Sequence, residues 1–157
     1  MPKKASSPQR RIVNKKARHN YHILETAEAG IVLTGSEVKS LRAGQAQISD
    51  AFVRINGFEV TLYGAQIERY PAATVHNHEP LRTRRLLLHR REVRKLVPQL
   101  AKPGMTLIPT AIYFNDRGLA KVELGLAIGK KHYDKREDLK KREHQREMDR
   151  AVSRRRR

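Results

Sequence analysis

Apolar and polar positions alternate along this chain in short bursts, and the bursts read as strands. Residues 21–26 form the first. Ala-Glu-Ala-Gly at 27–30 reads as a turn, and Gly30 to Leu33 as a second, apolar strand. Thr34 and Glu37 then have capping-box spacing, so a short helix is expected with Val38 and Leu41 inward and Lys39 and Arg42 outward. Gly44 suits the left-handed residue that ends such a helix. Asn56-Gly57 is the preferred two-residue type I′ turn. Folding about it sets Ile55 against Phe58, Val53 against Val60 and Ala51 against Leu62, with Arg54 facing Glu59 on the other side.

Pro71 to Pro80 reads as a loop, and Leu86 to Leu88 as a short buried segment. Val93, Leu96, Val97 and Leu100 follow helical spacing over 90–101, with Pro98 interrupting the stripe. Residues 106–114 and 119–128 finish the body as two strands. In the second, Val122, Leu124, Leu126 and Ile128 share one face, and Lys121 and Glu123 the other.

Helices do not alternate with strands, which excludes a parallel α/β sheet. The expected fold is mainly β with helices: a small antiparallel OB-like barrel of about six strands with two or three short helices. Barrels of that kind commonly bind nucleic acid. The organisation expected is a basic arm at 1–18, the barrel at 19–128 and a basic tail at 129–157.

The tail changes the picture, because its composition favours helix over 134–152 while nothing pins it to a core. Tyr133, Leu139, Met148 and Val152 make no continuous stripe. The four-apart pairs Glu137–Lys141 and Asp138–Arg142 contribute only about 0.2–0.5 kcal/mol each. The tail is therefore expected to be disordered when free and helical on a surface that neutralises it.

Charge sharpens that expectation. The net charge is +18 over 157 residues. Residues 1–18 hold seven Lys/Arg and no acid, and 129–157 hold 13 against 6, whereas 19–128 hold 14 against 10. A near-balanced body with two cationic ends implies a polyanionic partner, nucleic acid before anionic membrane. There is no cysteine, which excludes disulfides, Cys-based zinc sites and thiol nucleophiles. No apolar run approaches membrane-spanning length, and no apolar leader core follows the basic N-terminus, so a cytoplasmic protein is expected.

Catalytic signatures are missing. There is no HExxH, phosphate-binding loop or nucleophile elbow. His76 and His78 have a spacing that would set two rings on one side of a strand, but no further ligand lies near them in sequence, and a polar loop is the plainer reading. Asp50, Glu68 and Asp116 would serve a nuclease only if the fold gathered them. Neither catalytic activity nor any metal or other cofactor is expected. Tyr133 beside Lys130, Lys131 and His132 has the interleaved aromatic and basic character that base stacking with phosphate contact requires, or else it is a packed hinge.

Four blocks carry a resemblance: Asn14 to His19, Glu28 to Gly44, Arg82 to His89, and Lys121 to Arg136. In this order they closely resemble the SsrA-binding protein (small protein B) family, over about Asn14 to Arg150. The resemblance implies a bacterial, non-catalytic RNA-binding adaptor of trans-translation. Its OB-like barrel would bind the tRNA-like domain of transfer-messenger RNA (tmRNA) and promote aminoacylation and delivery. Its tail would enter the 16S rRNA decoding centre and the empty mRNA channel of a stalled 70S ribosome. Elongation factor Tu and alanyl-tRNA synthetase would be indirect partners. The alternative is a ribosomal or ribosome-assembly protein clamping rRNA.

The resemblance also implies roles for particular residues. Glu28 would accept hydrogen bonds from base or ribose donors, or brace the surface. Leu87 would pack near the RNA elbow or in the core. Lys121 would contact phosphate. Asn14, Lys15, Arg18 and His19 would add backbone contacts and a stack, and Lys39 and Arg42 phosphate contacts. Lys130, Lys131, Tyr133, Asp134, Lys135 and Arg136 would engage the ribosome. About 20 tail residues span roughly 30 Å as helix or 65 Å extended, either a sensible length for a channel. Gln45 stands where the family pattern suggests a basic residue, 71–78 matches poorly, and Arg154–Arg157 is an added basic cluster.

Overall fold

A computed structural model describes residues 10–155, with the side chains of His132, Tyr133 and Arg155 outside that description. The elements run β1 (Ile12–Val13), α1 (Lys15–Asn20), β2 (Tyr21–Ile31), α2 (Gly35–Arg42), β3 (Ala46–Gln47), β4 (Phe52–Asn56) and β5 (Glu59–Tyr63). They continue with β6 (Gln66–Ile67), β7 (Arg84–Leu87), α3 (Arg90–Leu100), β8 (Met105–Phe114), β9 (Ala120–Gly129) and α4 (His132–Arg155). The main sheet is ordered β1-β8-β4-β5-β7-β2-β9, and β8 also pairs with β9. Six strands therefore close into an antiparallel ring, with β1 alongside β8 and a small β3–β6 ribbon outside it. The closure at β4–β8 is slight, resting on Val53 opposite Leu107.

Leu41, Ile48, Leu62, Ile67, Leu86, Leu107, Ile112, Leu124 and Leu126 fill the core, each under 3 % exposed. Val93 and Leu96 carry α3 onto it. The barrel with three short helices is the architecture expected from the alternation of apolar and polar positions.

Several local expectations are corrected. Residues 27–30 are not a turn: β2 runs unbroken to Ile31, with a bulge between Ile23 and Glu25. Their small side chains serve close packing instead. Ala29 is fully buried, and a Cβ on Gly30 would lie 3.2 Å from the Cβ of Leu87. The hairpin turns on Gly57-Phe58, with Asn56 opposite Glu59 and Val53 opposite Leu62. Gly57 has φ +62° and among the described residues no non-glycine has positive φ, which is the type II′ pattern rather than type I′. The shift keeps Val53, Ile55, Val60 and Leu62 facing inward but moves Phe58 out into the exposed turn and sets Arg54 opposite Thr61, not Glu59. Ile128 is more than a third exposed, unlike its partners on β9. Pro98 lies within the last turn of α3 without ending it, because a missing N–H there costs only one bond.

Ordered structure also starts before His19. Asn14 is 3 % exposed and caps α1, accepting from the Ala17 N–H at 3.0 Å. Its amide donates to the carbonyls of Ile48 and Pro109, both at 2.9 Å, tying the chain's start to the barrel.

One feature had no signal in the apolar pattern. Glu37 and Arg84 are both fully buried, with Arg84 Nε donating to Glu37 Oε1 at 2.9 Å. Arg82 adds bonds to both carboxylate oxygens at 2.7 and 2.5 Å, and the Thr34 N–H donates to Oε2 at 2.9 Å. Burial pushes the Glu37 carboxyl up, but the two guanidiniums and the Thr34 amide outweigh it and hold it below the usual carboxylate range.

Helix α4 covers the span expected to be helical and a few residues more. From Lys140 to Arg154 every residue is exposed. Its ties to the body lie at its start: Lys130 pairs with Asp138, His22 Nε2 lies 3.7 Å from Asp134, and the Lys130 N–H donates to the Asn20 carbonyl at 2.8 Å. No helix among the described residues is long and apolar enough to cross a membrane.

Candidate nucleic-acid interface

The site grows from cross-strand register. Residues directly opposite in antiparallel strands project from the same face. Leu87 lies opposite Gly30, Gly30 opposite Lys121, and Lys121 opposite Tyr113. One outward row thus crosses β7, β2, β9 and β8. Glu28, two residues before Gly30 on β2, shares that face. Gly30 brings no side chain into the row, which leaves a depression of about 610 Å³ between Glu28, Leu87 and Lys121, with exposed Phe58 and Leu119 at its margins.

Leu87 is 53 % exposed, so the core reading of this residue is corrected. Leu86 is the buried member of the triplet, because β7 alternates. Lys121 projects outward from β9, as the alternation along that strand predicts, and Glu28 stands exposed on β2.

Tyr113 and Arg11 complete the face. The Tyr113 hydroxyl donates to Glu28 Oε2, and Glu28 Oε1 lies 3.7 Å from Lys121 Nζ. Burial, reinforced by the Glu28 carboxylate, pushes the Tyr113 phenol up to about 12, so it remains a donor at neutral pH. Its bond orients the carboxylate and leaves Oε1 outward, free to accept from an amino or hydroxyl group. The Arg11 guanidinium lies 4.9 Å from the Tyr113 ring centroid and pairs with Glu123 at 3.0 Å. The Thr110 hydroxyl donates to Glu123 Oε2 at 2.6 Å and, with Arg11, holds that carboxyl below its usual range despite partial burial.

Tyr113 and Arg11 escaped the sequence reading, although one signal for Tyr113 existed. Strand alternation puts it outward, and its neighbour across the β8–β9 turn is Lys121. Arg11 gave no such signal, since its place depends on the two-residue strand β1.

The other expected contacts divide. Arg18 is exposed on α1 and lines a smaller hollow with Thr110, Glu123 and Lys130, which extends the same face toward α4. Lys15 is exposed and His19 half-buried on α1. Asn14 does not fit a contact role: it is buried and its side-chain amide is fully engaged by backbone. Arg42 lies 4.6 Å from the Phe114 ring centroid, beside the β8–β9 turn at Gly118. Lys39 lies over Tyr70 instead, at 5.3 Å, and no contact among the described residues joins it to the Glu28–Lys121 face.

In the tail, Lys130 is also corrected. Its side chain is 6 % exposed, and its ammonium donates to the Asp138 carboxylate and to the Arg18 carbonyl at 3.0 Å. Its geometry is that of a bracket between body and helix. The Lys130 ammonium holds the Asp138 carboxyl below its usual range. Lys131 and Arg136 are exposed, Lys135 and Asp134 half-buried. Tyr133 belongs to the first turn of α4, but the expected stack falls on a side chain outside the described residues.

The His76–His78 pair does not converge on a metal position. His78 is buried, with Nε2 donating to the Ile67 carbonyl and Nδ1 accepting from the Ser36 hydroxyl, both at 2.9 Å. Asn77 closes the same loop through two bonds to the Tyr70 backbone.

An outward face with an oriented acceptor, a lysine, exposed leucine and arginine-covered tyrosine suits RNA bases and phosphates together. Known proteins resemble this chain over most of its length. A model of the SmpB protein family matches residues 11–154. An SsrA-binding protein of Salinispora arenicola is 56 % identical over 142 residues, covering 90 % of this chain and 89 % of its own. That of Thermobifida fusca is 51 % identical over 153 residues, covering 98 % and 95 %, and that of Desulforamulus reducens 52 % identical over 139, covering 88 % and 86 %. A chain of the solved structure "tmRNA-SmpB: a journey to the center of the bacterial ribosome" aligns with a TM-score of 0.67 at 49 % identity, covering 78 % of this chain and 85 % of that one. By sequence and by fold, the chain belongs to the SmpB protein family.

Proposed function

We propose that this protein is an RNA-binding adaptor of trans-translation. Its barrel binds the tRNA-like domain of tmRNA and its tail engages a stalled ribosome. The reading rests on one observation above all: Glu28, Leu87 and Lys121, drawn from three separate sequence blocks, meet around one depression on neighbouring strands β7, β2 and β9. Glu28 Oε1 accepts from a base or ribose, Lys121 neutralises phosphate, and Leu87 with Phe58 gives an apolar seat for an unstacked base. Arg11, Arg18 and Arg42 extend phosphate contact around that centre.

The tail acts separately. Helix α4 is solvated over most of its length and carries nine Lys/Arg against six acids, so it is weakly ordered when free and becomes fixed where ribosomal RNA neutralises it. It is long enough, at about 1.5 Å per residue, to occupy the decoding centre and the empty mRNA channel. Lys131, Tyr133, Lys135 and Arg136 lead it in, while Lys130 sets its direction. The protein is not itself a catalyst: it promotes aminoacylation by alanyl-tRNA synthetase and delivery with elongation factor Tu, in the cytoplasm, by holding tmRNA in a receptive shape.

A reconstituted translation system stalled on a message without a stop codon tests this directly. Peptide tagging by tmRNA should depend on added protein. Undiminished tagging without it would overturn the reading.

A further inference from the structure

A second outward surface lies round the barrel from the Glu28–Lys121 face, on β4, β5 and β7. Phe52 and Tyr63 are cross-strand partners, and their rings stack with centroids 5.3 Å apart at 8°. Arg54, on the same face, holds its guanidinium 5.2 Å from the Phe52 centroid and 5.8 Å from that of Tyr63. Phe52 is 36 % exposed. A pair that served only the hairpin would be complete with two rings, yet this one stands as a ridge between two hollows.

One hollow, about 510 Å³, has Phe52 and Arg54 on its wall with Lys16, Asn20 and Ser49. The other, about 420 Å³, has Tyr63 on its wall with Thr61, Thr83, Arg82 and Arg85. Arg54, Thr61 and Arg85 lie in register across β4, β5 and β7. Two strand spacings separate the arginines, about 10 Å. Among the described residues neither Arg54 nor Arg85 makes an ion pair, while the acids of this surface, Asp50 and Glu59, are fewer than its cations.

We propose that the Phe52–Tyr63 ridge is a second RNA-binding site, which takes an unpaired base on the aromatic pair and the flanking phosphates on Arg54 and Arg85. It centres on the aromatic pair, adjoins the Glu28–Lys121 depression through Arg85, which lines both, and does not depend on the function proposed for that depression. Aromatic rings with unpaired guanidiniums on either side match a single strand, whose bases are free to stack and whose phosphates follow at short intervals. An apolar protein surface would leave the two arginines to be desolvated without a matching acid. Two RNA sites on one small barrel would let the protein bridge two RNA segments, or two regions of one.

The test uses the full chain, a labelled oligouridylate and an abasic oligonucleotide of equal length, at physiological salt. Wild-type protein should bind the oligouridylate at least about fivefold more tightly than the abasic strand, because stacking on an aromatic is lost with the base. Phe52→Leu and Tyr63→Leu should each shrink that preference, and Arg54→Gln should weaken both strands. Equal binding of both strands, or a preference removed by Lys121→Gln but not by the ridge variants, would overturn the proposal. Should the leucine variants fail to fold, an oligonucleotide bearing 4-thiouridine decides on wild-type protein. Crosslinks at Phe52 or Tyr63 support the site, and crosslinks confined to α4 or the arm at 1–9 overturn it.

Discussion

Glu28 Oε1 and Lys121 Nζ lie 3.7 Å apart, too far for a formed hydrogen bond and close enough to attract. The pair is half-open to solvent, so its contribution to stability is small. Its value is as a poised acceptor and cation side by side. Lys121→Ala should weaken binding of the tRNA-like domain of tmRNA and reduce the slope of log affinity against log salt by about one phosphate contact. Tyr113→Phe releases the Glu28 carboxylate from its orienting bond and should cost several-fold in affinity with little change in melting temperature. Calorimetry and a salt titration check both. Unaltered binding in both variants would remove this face from the RNA site.

Asn14 separates stability from recognition. Asn14→Ala leaves the Ile48 and Pro109 carbonyls and the first turn of α1 without their partner. Buried groups left unpaired cost about 1–3 kcal/mol, so the melting temperature should fall. At a temperature where the variant remains folded, affinity for the RNA should be nearly that of wild type. A loss of affinity without loss of stability would restore Asn14 to the contact surface.

Glu37 is where acid should act on the fold. Its carboxyl is held below the ordinary range, so its contribution is present above the ordinary carboxylate pKa, about 4.3, and is lost as pH falls through the lowered folded value. Glu37→Gln leaves Arg84 as an uncompensated buried cation and should destabilise by about 3–5 kcal/mol. Denaturant unfolding measured from pH 7 downward should show wild-type stability declining through that acid window and a weaker decline in the variant. A variant as stable as wild type at pH 7 would contradict the assignment.

The sequence carried the barrel because alternation reports burial, and burial organises the strands. It also carried Glu28, Leu87 and Lys121, since these lie within recognisable blocks. What it hid were relationships that only closure of the ring creates. Tyr113 next to Glu28 joins residues 85 positions apart, and Arg84 against Glu37 hides a charge where an apolar pattern predicts none. The misread turn at 27–30 has a local cause: small residues with glycine usually bend a chain, but here they let β7 and β9 approach β2. The Asn56-Gly57 signal placed the hairpin correctly and its turn one residue early, because a glycine that leads a type II′ turn looks in sequence like one that closes a type I′ turn.

Truncation should separate body from tail. Ending the chain after Lys131 keeps all of β9 and the Lys130 N–H bond to Asn20, whereas a cut at Ala127 would remove the β9 pairs of Ile128 and Gly129. The shortened protein should bind the tRNA-like domain within about twofold of wild type and fail to support tagging on stalled ribosomes. Lost RNA binding would mean that α4 belongs to the RNA-binding body.

The central claim is that the barrel recognises one folded RNA by shape and not by charge alone. The most direct measurement is competition between labelled tRNA-like domain of tmRNA and excess ordinary tRNA over a salt series. Phosphate contact alone would lose affinity steeply with salt and yield to any tRNA. The Glu28, Leu87 and Lys121 face predicts a preference for the tmRNA domain that persists at moderate salt. Equal displacement by ordinary tRNA at every salt concentration would contradict it and make the protein a general RNA clamp.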